Sequence, residues 1–369
     1  MALLIGQRPN GVTIHQVTTD ARDKSNIYCE LPYCSIDSRL FVYEQKNPDT
    51  TPNKTEYVAC EFGTWKTHII GQGLGGPGMT HKGIFFYRRI KPGKCQELVR
   101  VDLATSEEKV IYEFPENFQS RGLGTMSPNE RYYAYGITIS YDPKMFGIEL
   151  IDLEKGTREI INTDPDICNP HTQFEPTHGK YIMVQHNRGC EFKADGTRIK
   201  LVGEEGATEY LLSVPDGRVT RLQVGPPHTP GITGHEAWIA GTNEILMSVQ
   251  AKGDYSPEKG NLIKIGANKA PERVGTSGYR FNHVGTSPCG KYFFCDDWHG
   301  ASKLVVGNIQ TGKTAVVCEA HTSMAQAQNT HGHPYLSPDL KWLVYNSDRS
   351  SRPQIHVASV PSELIAGLD

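Results

Sequence analysis

What this chain lacks narrows it first. Nowhere in its 369 residues does an apolar run approach the roughly 18 needed for a membrane-spanning helix. Met1 to Asn10 has neither a long apolar core nor a small-residue cleavage site, so no signal peptide is expected there. Positive charge is not in surplus: 38 Lys and Arg face 41 Asp and Glu, a formal net charge of −3. Sequence-blind nucleic-acid binding needs a basic surface to displace counterions, so that class is set aside. The nine cysteines are odd in number and contain no CxxC pair. Both facts suit the reduced thiols of a cytoplasmic protein, with Cys29, Cys34, Cys289 and Cys295 read as small apolar fillers. Helical periodicity is nearly absent, and no GxSxG nucleophile elbow occurs. The GxGxxG at Gly71 to Gly76 follows no βαβ strand and is read as a loop.

Turn formers are plentiful instead: 37 Gly and 23 Pro, alongside 17 Tyr. One element recurs along the chain. It is Ser-Pro, two turn residues, a basic residue, then an aromatic or apolar strand, at Ser127–Tyr135, Ser287–Phe294 and Ser337–Tyr345. Weaker copies begin at Ser35 and Glu175. Pro sets φ before the corner, Asn, Asp or Gly makes it, and strand formers follow. Each copy leads into a further strand pair split by a turn, such as Leu98–Leu103 with Lys109–Tyr112 and Ile148–Leu153 with Arg158–Ile161. Units starting near residues 35, 79, 127, 175, 239, 287 and 337 are mostly 44 to 50 residues apart, the length of a four-stranded propeller blade. The unit from 175 is longer by a charged, Gly-containing stretch, read as a long loop over 188–206 and a candidate lid.

Seven units predict an all-β, seven-bladed β-propeller of four-stranded blades spanning residues 1–369 as one domain. The last unit lacks an outer strand. Val12 to Thr18 alternates correctly to supply it, so the N-terminal strand closes the last blade.

In a propeller the innermost strands line a central channel, so residues just before each corner share one radial position. Counting back four from Glu175, Ile239, Ser287 and Ser337 gives His171, His235, His283 and His333, four of the 14 histidines. His331 lies two residues from His333, hence on the same strand face, and Gln328 is three further back. Imidazoles on rigid strands around one axis can hold a divalent metal; an N/O set of this kind suits Mn, Fe, Ni, Co or Zn, whereas Ca or Mg would want more carboxylates. The competing reading is a polar channel that binds only water. Asp296 and Asp297 are read either as substrate-hydroxyl ligands or as a solvated strand end.

At these residues the sequence resembles the oligogalacturonate lyase family, cytoplasmic seven-bladed propellers that cleave short pectin-derived uronides. Gln328-Asn329-Thr330-His331-Gly332-His333 reproduces that family's Gln-x-x-His-x-His metal motif. Gly234-His235-Glu236-Ala237-Trp238 is similar to its His-Glu-Phe-Trp segment, and Leu98 to Tyr112 matches a family blade. His171-Thr172-Gln173-Phe174-Glu175-Pro176 and His186 also fit. The likeness covers most of the chain and is weakest before residue 80.

The resemblance implies a divalent ion, Mn2+, held by His283, Gln328, His331 and His333. It implies an acid, base or orienting role for His235, and substrate contacts from His171, Gln173 and His186. The substrate would be an oligouronide, cleaved by β-elimination. The family places an Arg, regarded as the proton-abstracting base, on the strand after the His186 equivalent; here the matching positions are Glu209 or Tyr210. Tyr210, Arg188 and Arg198 therefore stand as base candidates. Alternatives are a lyase for another uronide, such as a glucuronate-containing one, a hydrolase or isomerase of such sugars, and a non-catalytic sugar-binding or scaffold propeller. No nucleic-acid or membrane partner is expected, and the oligomeric state is left open.

Overall fold

The computed structural model describes residues 2–28, 30–47, 49, 54–91, 93, 95–116, 118–275, 277–299 and 302–369. Seven antiparallel sheets follow one another along the chain in a ring, a seven-bladed β-propeller. The innermost strands of the first six are Lys24–Ser25, Gly75–Met79, Arg121–Met126, Gln173–Phe174, Ile232–Ile239 and Phe281–Thr286. Tyr335–Leu336 begins the seventh blade, whose next strands are Trp342–Ser347 and Gln354–Ser359. The N-terminal strand Thr13–Gln16 then pairs with Gln354–Ser359, Ile14 opposite Ala358, and closes the ring as expected. Leu3–Gln7 adds a fifth strand outside it.

The recurring corner has a simple physical basis. The hydroxyls of Ser35, Ser127, Ser287 and Ser337 accept the backbone N–H five residues on, at 2.9 to 3.1 Å. The fourth residue of each corner, Ser38, Glu130, Gly290 or Leu340, takes a left-handed φ of 55° to 70°. Serine thus satisfies the amide that the reversed chain would otherwise orphan. Strand residues after the corner then bury between blades. Tyr57 packs on Phe85 with ring centroids 5.2 Å apart, and Phe86 on Tyr133 at 5.7 Å. Each such burial is worth about 2 kcal/mol.

Three local readings change. Gly71 to Gly76 is no loop: it runs from the outer strand Thr67–Gly73 of the first blade into the inner strand of the second, and a Cβ at Gly71 would overlap the Tyr87 ring. The stretch 188–206 holds a hairpin, Glu191–Phe192 with Arg198–Lys200, anchored where Phe192 meets Tyr141 at 5.5 Å and Phe146 at 5.4 Å. Cys289 is exposed, not a filler, whereas Cys34 and Cys295 are buried and Cys29 lies outside the described residues. The expectation that no Gly-Lys-Ser/Thr phosphate-loop pattern occurs is corrected by the sequence itself, since residues 307–314 spell G-x-x-x-x-G-K-T. They form the turn between Lys303–Asn308 and Thr314–Glu319, with no helix to cradle a phosphate. No helix among the described residues is long and apolar enough to cross a membrane.

Candidate metal and substrate site

The backbone delivers the channel histidines in two ways. His235 and His283 sit where their inner strands slip register, between Ile232 and Glu236 and between Phe281 and Val284. Such bulges re-aim a side chain at the end of a pairing ladder. His171 and His333 instead precede two-residue inner strands and take left-handed φ values of 44° and 41°. A left-handed φ in a non-glycine residue costs strain and clusters at functional sites.

All four meet around one ring. Tyr28 lies with its centroid 6.1 Å from His171, 6.1 Å from His235, 6.5 Å from His283 and 5.0 Å from His333. On one side, ligand atoms of His283, His331 and His333 all fall within 4.8 Å of one another. Nε2 of His283 is 2.9 Å from Nε2 of His333. Behind it, His283 Nδ1 donates to Asp296 Oδ2 at 2.6 Å, and its backbone N–H to Asp296 Oδ1 at 2.9 Å. His331 Nε2 donates to Ala325 O at 2.8 Å, leaving its buried Nδ1 without a partner. Trp298 walls this side, 5.6 Å from His283 and 5.4 Å from His331. Burial and then neighbouring imidazoles hold His235 and His333 far below the ordinary histidine range, and burial lowers His331. Neutral imidazole is the metal-binding form.

Across Tyr28 the set is acidic. Burial alone would lower His171, but Glu30 at 3.1 Å and Glu236 at 3.7 Å raise it to about 9. Burial lifts Glu236 to about 8 and Glu209 well above the carboxylate range, each carboxyl also opposed by Glu30. Gln173 Nε2 ties the group together, donating to Glu30 Oε2 at 2.7 Å and Glu236 O at 2.8 Å.

Two cavities of about 350 and 470 Å³ open here and share Tyr28, Asn169, His171 and Gln328. Gln328 is exposed on the short turn Gln328–Thr330. Gln173 lines the smaller cavity; His235, Leu201 and Val202 line the larger, so the end of the 188–206 insertion forms part of its wall.

The remaining candidates stand elsewhere. His186 pairs with Asp164 at 3.0 Å and lines neither cavity. Tyr210 is buried between blades, its hydroxyl donating to Asn162 Oδ1 at 2.7 Å and its pKa driven up by burial. Arg188 is spent on the carbonyls of Gly206, Pro226 and Glu205, and Arg198 is exposed on the hairpin. Sequence reading missed Tyr28, Glu30 and Glu236. Tyr28 and Glu30 lie in a segment without repeat or motif, and Glu236, next to His235 on its strand, is read by alternation as facing away from the channel.

Fold and site together define a closed propeller with a histidine-lined axial centre. In sequence the chain is similar to the oligogalacturonide lyase of Pectobacterium atrosepticum, 26% identical over 307 residues covering 73% of this chain and 74% of the relative. It is also similar to the oligogalacturonate lyase of Dickeya dadantii, 25% identical over 305 residues with the same two shares. An oligogalacturonate lyase solved in complex with manganese shares the fold with a TM-score of 0.75 and 17% identity, covering 99% of this chain and 97% of that one. No protein-family model matches. The chain resembles the oligogalacturonate lyases, as its motifs led us to expect.

Proposed function

We propose that this chain, acting as a single propeller domain, is a metal-dependent lyase that cleaves short oligogalacturonides by β-elimination. The observation that carries the reading is the His283–His331–His333 triad, with the likeness to lyases over 73% of the chain beside it. The triad fits a divalent ion. His283 gives its Nδ1 proton to Asp296, so its Nε2 is a bare lone pair aimed at His333, and His331 keeps a buried, unpartnered Nδ1. His283, His331, His333 and Gln328 would hold the ion, Mn2+ by analogy with the manganese-bound relative. When bound, such an ion acts as a Lewis acid toward the uronate carboxylate, where charge accumulates as the C5 proton leaves.

The protein's own part is binding and proton transfer. The C5–H electrons form the C4=C5 double bond, the C4–O bond breaks, and the departing oxygen takes a proton. His235 lines the larger cavity next to the triad, its ring 4.3 Å from His283, and we assign it the proton-transfer role. His171, which lines both cavities, and Gln173, which lines the smaller, are assigned to the substrate side of the site, Gln173 through the frame it makes for Glu30 and Glu236. Tyr210, Arg188 and Arg198 have weaker support as the base, because each is engaged or exposed away from both cavities. A second reading, a lyase for a differently linked uronide such as a glucuronate-containing one, draws on buried Glu209 near the place of the family arginine. A buried acid cannot receive a carboxylate as an arginine does.

The deciding experiment incubates the Mn2+-loaded protein with a panel of uronic oligosaccharides and follows ultraviolet absorbance and mass. A conjugated unsaturated product without uptake of water is expected. Cleavage with uptake of water would make the protein a hydrolase, and no cleavage of any member would leave a binding propeller.

A further inference from the structure

We propose that Glu30, His171 and Glu236 form a second divalent-cation site, across Tyr28 from the histidine triad. One ligand atom from each lies within 4.8 Å of the others. His171 Nδ1 stands 3.1 Å from Glu30 Oε1 and 3.7 Å from Glu236 Oε1. The three come from separate parts of the chain: the segment after the first inner strand, the approach to the fourth blade, and the bulged strand Ile232–Ile239.

What points to a ligand is the state of the acids. Glu236 is fully buried, and neither carboxylate oxygen has a hydrogen-bond partner. Glu209, 1% exposed behind it, is in the same condition. A buried carboxyl without partners is costly in either protonation state, because the ionised form lacks a counter-charge and the neutral form lacks a hydrogen bond. Without an ion, His171 supplies one positive charge among three acids, its Nδ1–H engaged by Glu30; on loading, the cation displaces that proton to solvent and frees the Nδ1 lone pair to ligate. A divalent cation meets both needs at once. The frame around it is rigid: Gln173 holds Glu30 and the Glu236 backbone at 2.7 and 2.8 Å, as outer-shell groups hold metal ligands. One imidazole nitrogen with carboxylate oxygens is a donor set for a hard or borderline ion such as Mn2+. His171 lines both cavities, so the seat is reachable from solvent. The inference does not depend on the lyase reading; the expected count of two rests on the triad also holding an ion, and loss of one ion in the carboxamide variants relative to wild type identifies this site whatever the triad does.

The test counts ions. The full chain is stripped with a chelator, titrated with Mn2+ alone, and assayed by elemental analysis and by the electron paramagnetic resonance of free Mn2+. Two ions per chain are expected. Glu236→Gln and Glu30→Gln should each leave one, and His333→Ala should also leave one, all with unchanged circular dichroism. Two carboxamide variants are used so that one misfolded protein does not end the test. The proposal is overturned if the folded carboxamide variants keep the wild-type count, or if His333→Ala binds no Mn2+ at all.

Discussion

The Nε2 atoms of His283 and His333 stand 2.9 Å apart although 50 residues separate them in the chain. They occupy the same radial position in neighbouring blades, one delivered by a bulge and the other by a left-handed backbone. Since Asp296 takes the Nδ1 proton of His283, the nitrogen facing His333 can only accept. A proton on His333 satisfies that pair, and a metal ion satisfies it together with the unpartnered nitrogen of His331.

Asp296 should therefore tune the metal without touching it. Asp296→Asn keeps the shape but removes the charge that makes His283 a stronger ligand, and should weaken Mn2+ binding about 10- to 100-fold. Calorimetric titration of wild type and variant checks this. Equal affinities would mean that the contact merely fixes a ring.

His235 and Tyr210 separate cleanly in kinetics. His235→Gln should lower turnover at least about a hundredfold if that imidazole moves the proton. Tyr210→Phe should turn over almost normally while losing about 1 kcal/mol of stability, because its hydroxyl serves Asn162 inside the blade wall. Paired turnover and urea-unfolding measurements decide, and a hundredfold loss in Tyr210→Phe would reverse the assignment.

The ring of histidines was legible because a repeat converts sequence spacing into radial position. His171, His235, His283 and His333 were found by counting back from a corner, and Tyr28 touches all four. The corner itself was readable since serine, turn residue and strand former each do a local job. Tyr28 and Glu30 carry no such signal: they belong to a connecting segment whose course across the axis is set by tertiary contacts. Asn26 shows how: its backbone N–H donates to Asn346 Oδ1 at 2.8 Å and its side-chain amide to the His333 carbonyl. Glu236 was hidden for the opposite reason, since strand alternation alone reads a residue beside a channel histidine as facing away. The hairpin within 188–206 was invisible because its two strands are only two and three residues long.

Acid stability should report His356. Its ring is fully buried against Tyr345, its Nδ1 donates to Gln354 O, and Arg349 adds an unfavourable charge. Burial first, then Arg349, outweighs that hydrogen bond and lowers it from 6.5 to about 4. Between those values the unfolded chain binds the extra proton, so stability is complete above pH 6.5 and falls as pH drops toward 4. The loss for one such group is about 3 kcal/mol. His81, also held at about 4 by burial, adds a second share. His356→Gln should flatten the decline in urea midpoint between pH 7 and about 4.5. An unaltered slope would place the acid sensitivity elsewhere.

Closure of the ring makes the last prediction. Thr13–Gln16 pairs Ile14, His15 and Gln16 with Ala358, Val357 and His356, and Thr13 N–H donates to Ser359 Oγ at 2.8 Å. Thr18 Oγ1 accepts the Ile355 N–H at 2.9 Å, so the clasp extends past the strand end. Deleting residues 1–20 removes all of this and bares the edge of Gln354–Ser359, where Ile355, Val357 and Ala358 are fully buried. An exposed apolar edge recruits other chains. The truncated protein should melt at a lower temperature and aggregate in a concentration-dependent way, measured by scanning fluorimetry with light scattering. Its Mn2+ binding should weaken too, because Asn26, which donates to the His333 carbonyl, lies just beyond the cut. A truncated chain that stays monomeric with unchanged melting would mean that the seventh blade holds without its N-terminal strand.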